Sequence, residues 1–331
     1  MTTATPTTRS GTMVPEASAL PDVLPTDRLN ARGMPTAVWR SDLRRIPNAR
    51  NVIAVIATLG WSFGVLIAAG WINTWWSYVI GFFLLARGHV CLSILAHEAA
   101  HRLLFSNRTV NDFVGRWLLG YPTLIPTLAY RRSHFAHHRD ELGPEEPDLA
   151  LYAGYPIPRE SWHRKLRRDI TGVSGMKVIK GLFRAARTGS TEARQIIAVQ
   201  VVILGASIVF MRPLAYVIWM GSWITLWRVS NRLRAIAEHG GMVRSRDRRM
   251  TTHVIRQSWL ARFWFVPYNT GWHLAHHADM GVPWTKLPTL HDELVRSGWV
   301  TEDIVYRSYW AFWRAASSRP PVASDAPTSP E

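Results

Sequence analysis

Residues 51–70 run for twenty positions without a charged side chain. As a helix such a stretch is about 30 Å long, which matches the hydrocarbon thickness of a bilayer. A second apolar run, residues 71–96, is interrupted by Arg87. Residues 70–73 offer the place for a turn between the two, so a tight hairpin is expected. Two shorter runs follow, residues 196–211 and 214–227, separated by Arg212 and Pro213. They predict a second hairpin whose last helix continues past Trp227 as far as Glu238. The expectation is an all-α, polytopic membrane protein: four transmembrane helices in two hairpins, with a cytosolic helical cap. A soluble protein with buried helices is the alternative. A mean hydropathy near zero does not decide between them, because the polar half of the chain dilutes the average.

Charge sets the orientation. Arg40, Arg44, Arg45 and Arg50 precede the first run, residues 102–194 are rich in Arg and Lys, and Arg228, Arg232, Arg234, Arg244, Arg246, Arg248 and Arg249 follow the last. The turns between runs carry no positive charge beyond Arg212. Positively charged loops stay inside, so both termini and both large polar segments are expected on the cytoplasmic side of a plasma or inner membrane. The formal net charge of +16 then needs no nucleic acid, since basic residues at that face meet anionic headgroups. Residues 176–187 mix Met176, Val178, Ile179, Leu182 and Phe183 with Lys177, Lys180, Arg184 and Arg187. They suit either an amphipathic helix in the interface or a solvated one. No zinc-finger pattern and no phosphate-binding glycine loop points to nucleic acid or nucleotide.

Onto this frame the chain places clustered histidines. It has thirteen, and eight fall in three groups: His97 and His101; His134, His137 and His138; His273, His276 and His277. His239 follows Glu238 in the stretch beyond the fourth run. Spacings of three and four residues put side chains on one helix face, and neutral imidazole is the commonest protein metal ligand. Nine imidazoles exceed the four that one zinc takes. Two ions of an imidazole-tolerant metal would use them, and iron suits oxidation chemistry. Under the expected topology all the groups fall on the same side of the membrane, so groups distant in sequence can converge just below the bilayer. His89, His163, His253 and His291 stand outside the pattern, although His89 shares roughly a helix face with His97. Glu98 and Glu238 each sit beside a candidate ligand. Each reads either as a group orienting a ligand imidazole through its free ring nitrogen or as a solvated helix residue. Asn269 is held in reserve should the ninth ligand not be His239. Trp61, Trp75, Trp76 and Trp219 are candidates to line an apolar substrate path or to anchor the spans in the interface.

The pair His97–His101 with Glu98 also fits a zinc protease motif, here of an intramembrane protease. That reading leaves the other two groups unexplained. A non-enzymatic metal-binding or transport protein is a further alternative. The single Cys91 excludes an intrachain disulfide and a cysteine-ligated cluster. Residues 1–36 and 317–331 are expected as disordered tails without a cleaved leader, leaving residues 37–316 as one membrane domain.

These residues resemble the integral-membrane fatty acid desaturase and hydroxylase family, whose mark is three histidine boxes on a four-span scaffold. All three boxes occur in order between residues 51 and 313. Glu146, Pro147 and Asp148 resemble the family's acidic-Pro-Asp segment, residues 276–291 resemble its tail after the third box, and His239 corresponds to an additional ligand position. The resemblance implies two iron ions, O2 as co-substrate, and a lipid or acyl substrate. It implies a separate electron donor, a ferredoxin or flavoprotein reductase, because no fused haem-binding segment appears. It leaves open a hydroxylase or ketolase acting on a carotenoid or another apolar metabolite, and with it the choice between desaturation and hydroxylation.

Overall fold

The uncharged run begins folding three residues earlier than its sequence limits suggest. In the computed structural model, which describes residues 13–319, a short helix α1 (Ala37–Leu43) leads into α2 (Asn48–Ile72). Trp71 and Ile72, assigned by sequence to the second run, are the last turn of this first helix. Asn73 then adopts a left-handed conformation (φ 52°), and Thr74 and Ser77 form a reciprocal capping box that starts α3 (Trp75–Ala100). Asn tolerates the left-handed region and Thr is a good N-cap, so these two polar residues place the turn slightly later than residues 70–73. α2 and α3 pack along much of their length. Gly88 allows the approach, because a Cβ there would lie 2.7 Å from the Ser62 hydroxyl. Arg87, the one charge in α3, lies over the rings of Trp61 (4.4 Å) and Phe263 (4.1 Å), which satisfies the cation against aromatic faces.

The chain continues through α4 (Arg108–Phe113) and a π-helical turn, Val114–Gly120, to α5 (Thr127–Arg139), which carries the second histidine group. Then come α6 (Leu149–Tyr152), α7 (Arg159–Ile170), α8 (Val173–Arg187) and α9 (Thr191–Phe210). α9 starts five residues before the expected residue 196, where the Ser190 side chain caps it. α10 (Pro213–Ser222) passes without leaving helical geometry through a π segment, Trp223–Trp227, into α11 (Arg228–His239). α12 (Trp259–Trp264), α13 (His273–Ala278), α14 (Leu287–Arg296) and α15 (Tyr309–Ala316) complete the order.

The protein is mostly helical, and α2, α3 and α9 are long and apolar enough to cross a membrane. α10 alone is too short for that measure. One feature departs from an all-α reading: β1 (Val254–Ile255) pairs in parallel with β2 (Val305–Tyr306). Two residues per strand do not reveal themselves as an alternating pattern. The indole of Trp71 donates to the Phe210 carbonyl at 2.8 Å, joining the end of α2 to the end of α9. Trp219 is fully buried and stacked on Phe63, whereas Trp75 is 78% exposed. Trp219 is thus a core residue.

The amino-terminal tail is corrected in part. Residues 13–36 are anchored at a few points, although many of their side chains are exposed: Leu29 is fully buried in a cluster with Leu274, Val282 and Leu294, and the Met13 amide donates to the Gly241 carbonyl. Their low apolar content hid these few anchors. Residues 1–12 and 320–331, also expected as tails, lie outside the described residues.

Candidate metal centre

Four helix ends converge to build the site. α3 delivers His97 in its last turn and His101 at its C-cap. α5 carries His134, His137 and His138, α11 ends on His239, and α13 begins with His273 and bears His276 and His277. α13 is short because Tyr268 and Asn269, both left-handed, precede it and Asp279 ends it. Asp279 is clamped by Arg40 of α1 (2.7 Å) and by Arg44, which caps the end of that helix. Burial pushes this carboxyl up, but the two arginines outweigh it and hold it below its usual value.

All nine candidate histidines come together, in two adjoining groups. In the first, ring nitrogens of His97, His101, His134, His138 and His276 lie within 4.8 Å of one another, and the second joins His137, His239 and His277 in the same way. His273 completes the second, its Nε2 3.1 Å from that of His239 and 3.0 Å from that of His277. In the first group the Nε2 pairs His101–His134, His134–His138 and His138–His276 are 2.8, 3.1 and 3.1 Å apart. The rings of His138 and His277 bridge the groups with centroids 4.4 Å apart. Imidazoles holding one ion at about 2.1 Å at right angles would have nitrogens about 3.0 Å apart, so the observed spacing fits metal ligation. Burial, with the neighbouring histidines, drives His239 and His277 far below the ordinary imidazole value, which favours the neutral ligand form.

The far ring nitrogens of His137, His239 and His277 have partners, as ligand histidines require. His137 Nδ1 lies 2.7 Å from Glu146 and 3.2 Å from the Tyr152 hydroxyl. Burial pulls the His137 imidazole down, yet the Glu146 contact outweighs it and the net shift is upward. His239 Nδ1 donates to the Thr251 carbonyl at 2.8 Å. His277 Nδ1 pairs with Glu141, which is itself held by Arg248 (2.7 Å) and the Thr251 hydroxyl (2.6 Å). Glu146 belongs to the acidic-Pro-Asp segment noted in the sequence. Glu141 and Thr251 carried no signal, because a lone carboxylate three residues past His138 looks like any solvated one.

Glu98 and Glu238 differ from each other. Glu98 accepts the Trp284 amide at 2.9 Å, and no hydrogen bond joins it to a histidine among the described residues. It ties the first-box helix to the loop after the third box, and that does not fit a protease general base. Glu238 lies 3.6 Å from His273 Nδ1 and 3.5 Å from Arg234. It faces a cavity of about 140 Å³ that also touches His97, Tyr130, Tyr152 and His273. The histidines outside the boxes stay out. His89 contacts the Thr123 hydroxyl and the Trp219 carbonyl, His253 donates to the Gly240 carbonyl, and His291 stacks on Trp272. Asn269 donates to the Trp284 carbonyl.

A sequence profile described as Fatty acid desaturase matches residues 73–310. The chain belongs to the fatty acid desaturase family. Among its relatives, dihydrorhizobitoxine desaturase of Bradyrhizobium elkanii is 26% identical over 65% of this chain and 66% of its own. The chloroplastic omega-3 fatty acid desaturase of Glycine max is 30% identical over 43% of this chain and 28% of its own. The sn-1 acyl-lipid omega-3 desaturase (ferredoxin) of Synechocystis is 25% identical over 35% of this chain and 34% of its own. The chain thus spans less than two thirds of the length of these relatives. The matched region of this desaturase-family chain holds all three boxes and His239.

Proposed function

We propose that this chain is a membrane-embedded di-iron desaturase that uses O2 to introduce a double bond into an acyl chain. The observation that carries the reading is the pair of adjoining histidine groups, five and four imidazoles, at the inner ends of α3 and α11. His97, His101, His134, His138 and His276 would hold one iron; His137, His239, His273 and His277 the other. Bound there, two irons supply the oxidising power that no side chain has for an unactivated methylene. Per double bond the balance is one O2, two electrons and two protons taken up with two hydrogens of the chain, and two waters released.

The protein's own residues do the positioning. Glu141 and Glu146 fix the rings of His277 and His137 through their outer nitrogens, and Thr251 does so for His239. Glu238, Tyr130 and Tyr152 border the cavity where the reacting carbons would lie. Glu98 is a positioning residue that holds the loop after the third box. The continuous helix of residues 213–239 acts as the fourth span, so that all the boxes share the cytoplasmic side. An acyl chain is supported as the substrate by the family and by the named activities of the plant and cyanobacterial relatives, and a separate electron donor by the latter's name.

The test pairs metal analysis of detergent-purified protein with lipid analysis of cells expressing it. Two irons per chain without zinc and a new double bond are expected. A new hydroxyl or keto group on an apolar metabolite would move the reading to the hydroxylase alternative, and zinc in place of iron would end it.

A further inference from the structure

Behind the second histidine group the cap opens a pocket of about 650 Å³ lined by Arg32, Arg139, Arg244, Arg246 and Arg248 around Asp140 and Glu141. Arg244 pairs with Asp140 at 2.6 Å and Arg248 with Glu141. Among the described residues no carboxylate lies within ion-pair distance of Arg32, Arg139 or Arg246, and all three are exposed. The floor is Glu141, fully screened from solvent and hydrogen-bonded to His277. Ala278, the residue after His277, forms part of the wall. From the surface to a candidate iron ligand the path is therefore Arg248, Glu141, His277.

We infer that this arginine-rimmed pocket is the docking face for a small acidic electron-carrier protein, which hands its electron to the site at His277. The inference rests on the desaturase reading, which requires two electrons per double bond. Each carrier molecule gives up one and is oxidised, and the centre behind His277 is reduced by one. Unpaired cations on an exposed rim attract an acidic surface and steer its approach. An acidic carrier of acyl groups would answer the same charge, but the geometry argues against it. The cavity beside Glu238 and Tyr130 shares no lining residue with this pocket, whereas the floor of this pocket, Glu141, is hydrogen-bonded to His277.

The test uses full-length protein in detergent and a plant-type [2Fe–2S] ferredoxin as probe, with binding as the first readout. Affinity should fall as salt rises. Arg139→Glu with Arg246→Glu should weaken binding by at least about tenfold, and the milder Gln pair by less. Lys180→Glu with Arg184→Glu on α8, of equal charge change and lining a different pocket from the rim, should leave binding as it is. Wild-type affinity in the Glu pair, given an unaltered thermal unfolding profile, would overturn the docking face. So would an acyl carrier protein that binds there more tightly and displaces the ferredoxin. The second readout is anaerobic oxidation of reduced ferredoxin by iron-loaded protein, which should slow in the Glu pair. A wild-type chain that binds through these arginines and accepts electrons, yet makes no double bond, supports the docking face and overturns the desaturase reading.

Discussion

His239 has no companion within three or four residues, yet it is buried with its Nδ1 on the Thr251 carbonyl and its Nε2 beside His273. Its position at the end of α11, before Gly240 and Gly241, was legible because the glycines end the helix there. On the proposed di-iron reading, removing it takes away one of the four nitrogens of the second group. Purified His239→Ala protein should hold roughly half its iron or less, while His163→Ala, at an exposed position, should hold the wild-type amount. Iron near the wild-type level in His239→Ala would remove it from the ligand set. Glu141 makes a complementary case, because sequence offered no reason to choose it. Glu141→Gln keeps the shape and removes the charge between His277 and Arg248, so iron affinity should fall by about 10–100-fold. Iron titration against a competing chelator would measure this, and an unchanged affinity would mean that His277 is oriented by other groups.

Individual elements are held to the site by polar clasps. Arg131 of α5 donates to the Ala99 and Ala100 carbonyls at the end of α3 and pairs with Asp112 of α4 at 2.5 Å. One side chain thus sets α5, with its three histidines, against the helix bearing His97 and His101. Burial raises Asp112, but the hydrogen bonds from Arg131 and Asn111 outweigh it, and the carboxyl sits below its usual value. A depressed folded-state value stabilises the protein above the unfolded value of about 4 and ceases to do so as pH falls through the folded one. Asp112→Asn should therefore cost about 1.5 kcal/mol at neutral pH, the low end for a charged hydrogen bond because Asp112 is 30% exposed. Thermal unfolding of the two proteins in detergent should converge below about pH 4; a gap that persists in acid would show that the charge is not what the mutation removes.

For the whole molecule, the inner ends of α3 and α11 must lie on one side of the bilayer. Arginines flank the long apolar helices on the side of the boxes, which predicts cytoplasmic termini. Reporter fusions after Arg45 and after Ser317 should both read as cytoplasmic. Opposite readings would mean that residues 213–239 do not complete a fourth crossing, and the histidine groups would then lose their shared compartment. α8 bears on the same geometry: Val173, Met176 and Phe183 are exposed among Lys177, Lys180 and Arg184, as a helix lying in an interface requires.

Sequence alone determined the long apolar helices, because twenty uncharged residues have few other ways to satisfy their backbone in lipid. It also determined which imidazoles face together within each helix, because the helical period is local. Tertiary structure decided how nine imidazoles divide into groups of five and four, since that depends on the crossing of α3, α5, α11 and α13. It decided that Glu141, Glu146 and Thr251 lie on the outer ring nitrogens, that Glu98 accepts from Trp284 instead, and that residues 13–36 are anchored through Leu29. Each of these depends on contacts between residues far apart in the chain, and no local pattern encodes such a contact.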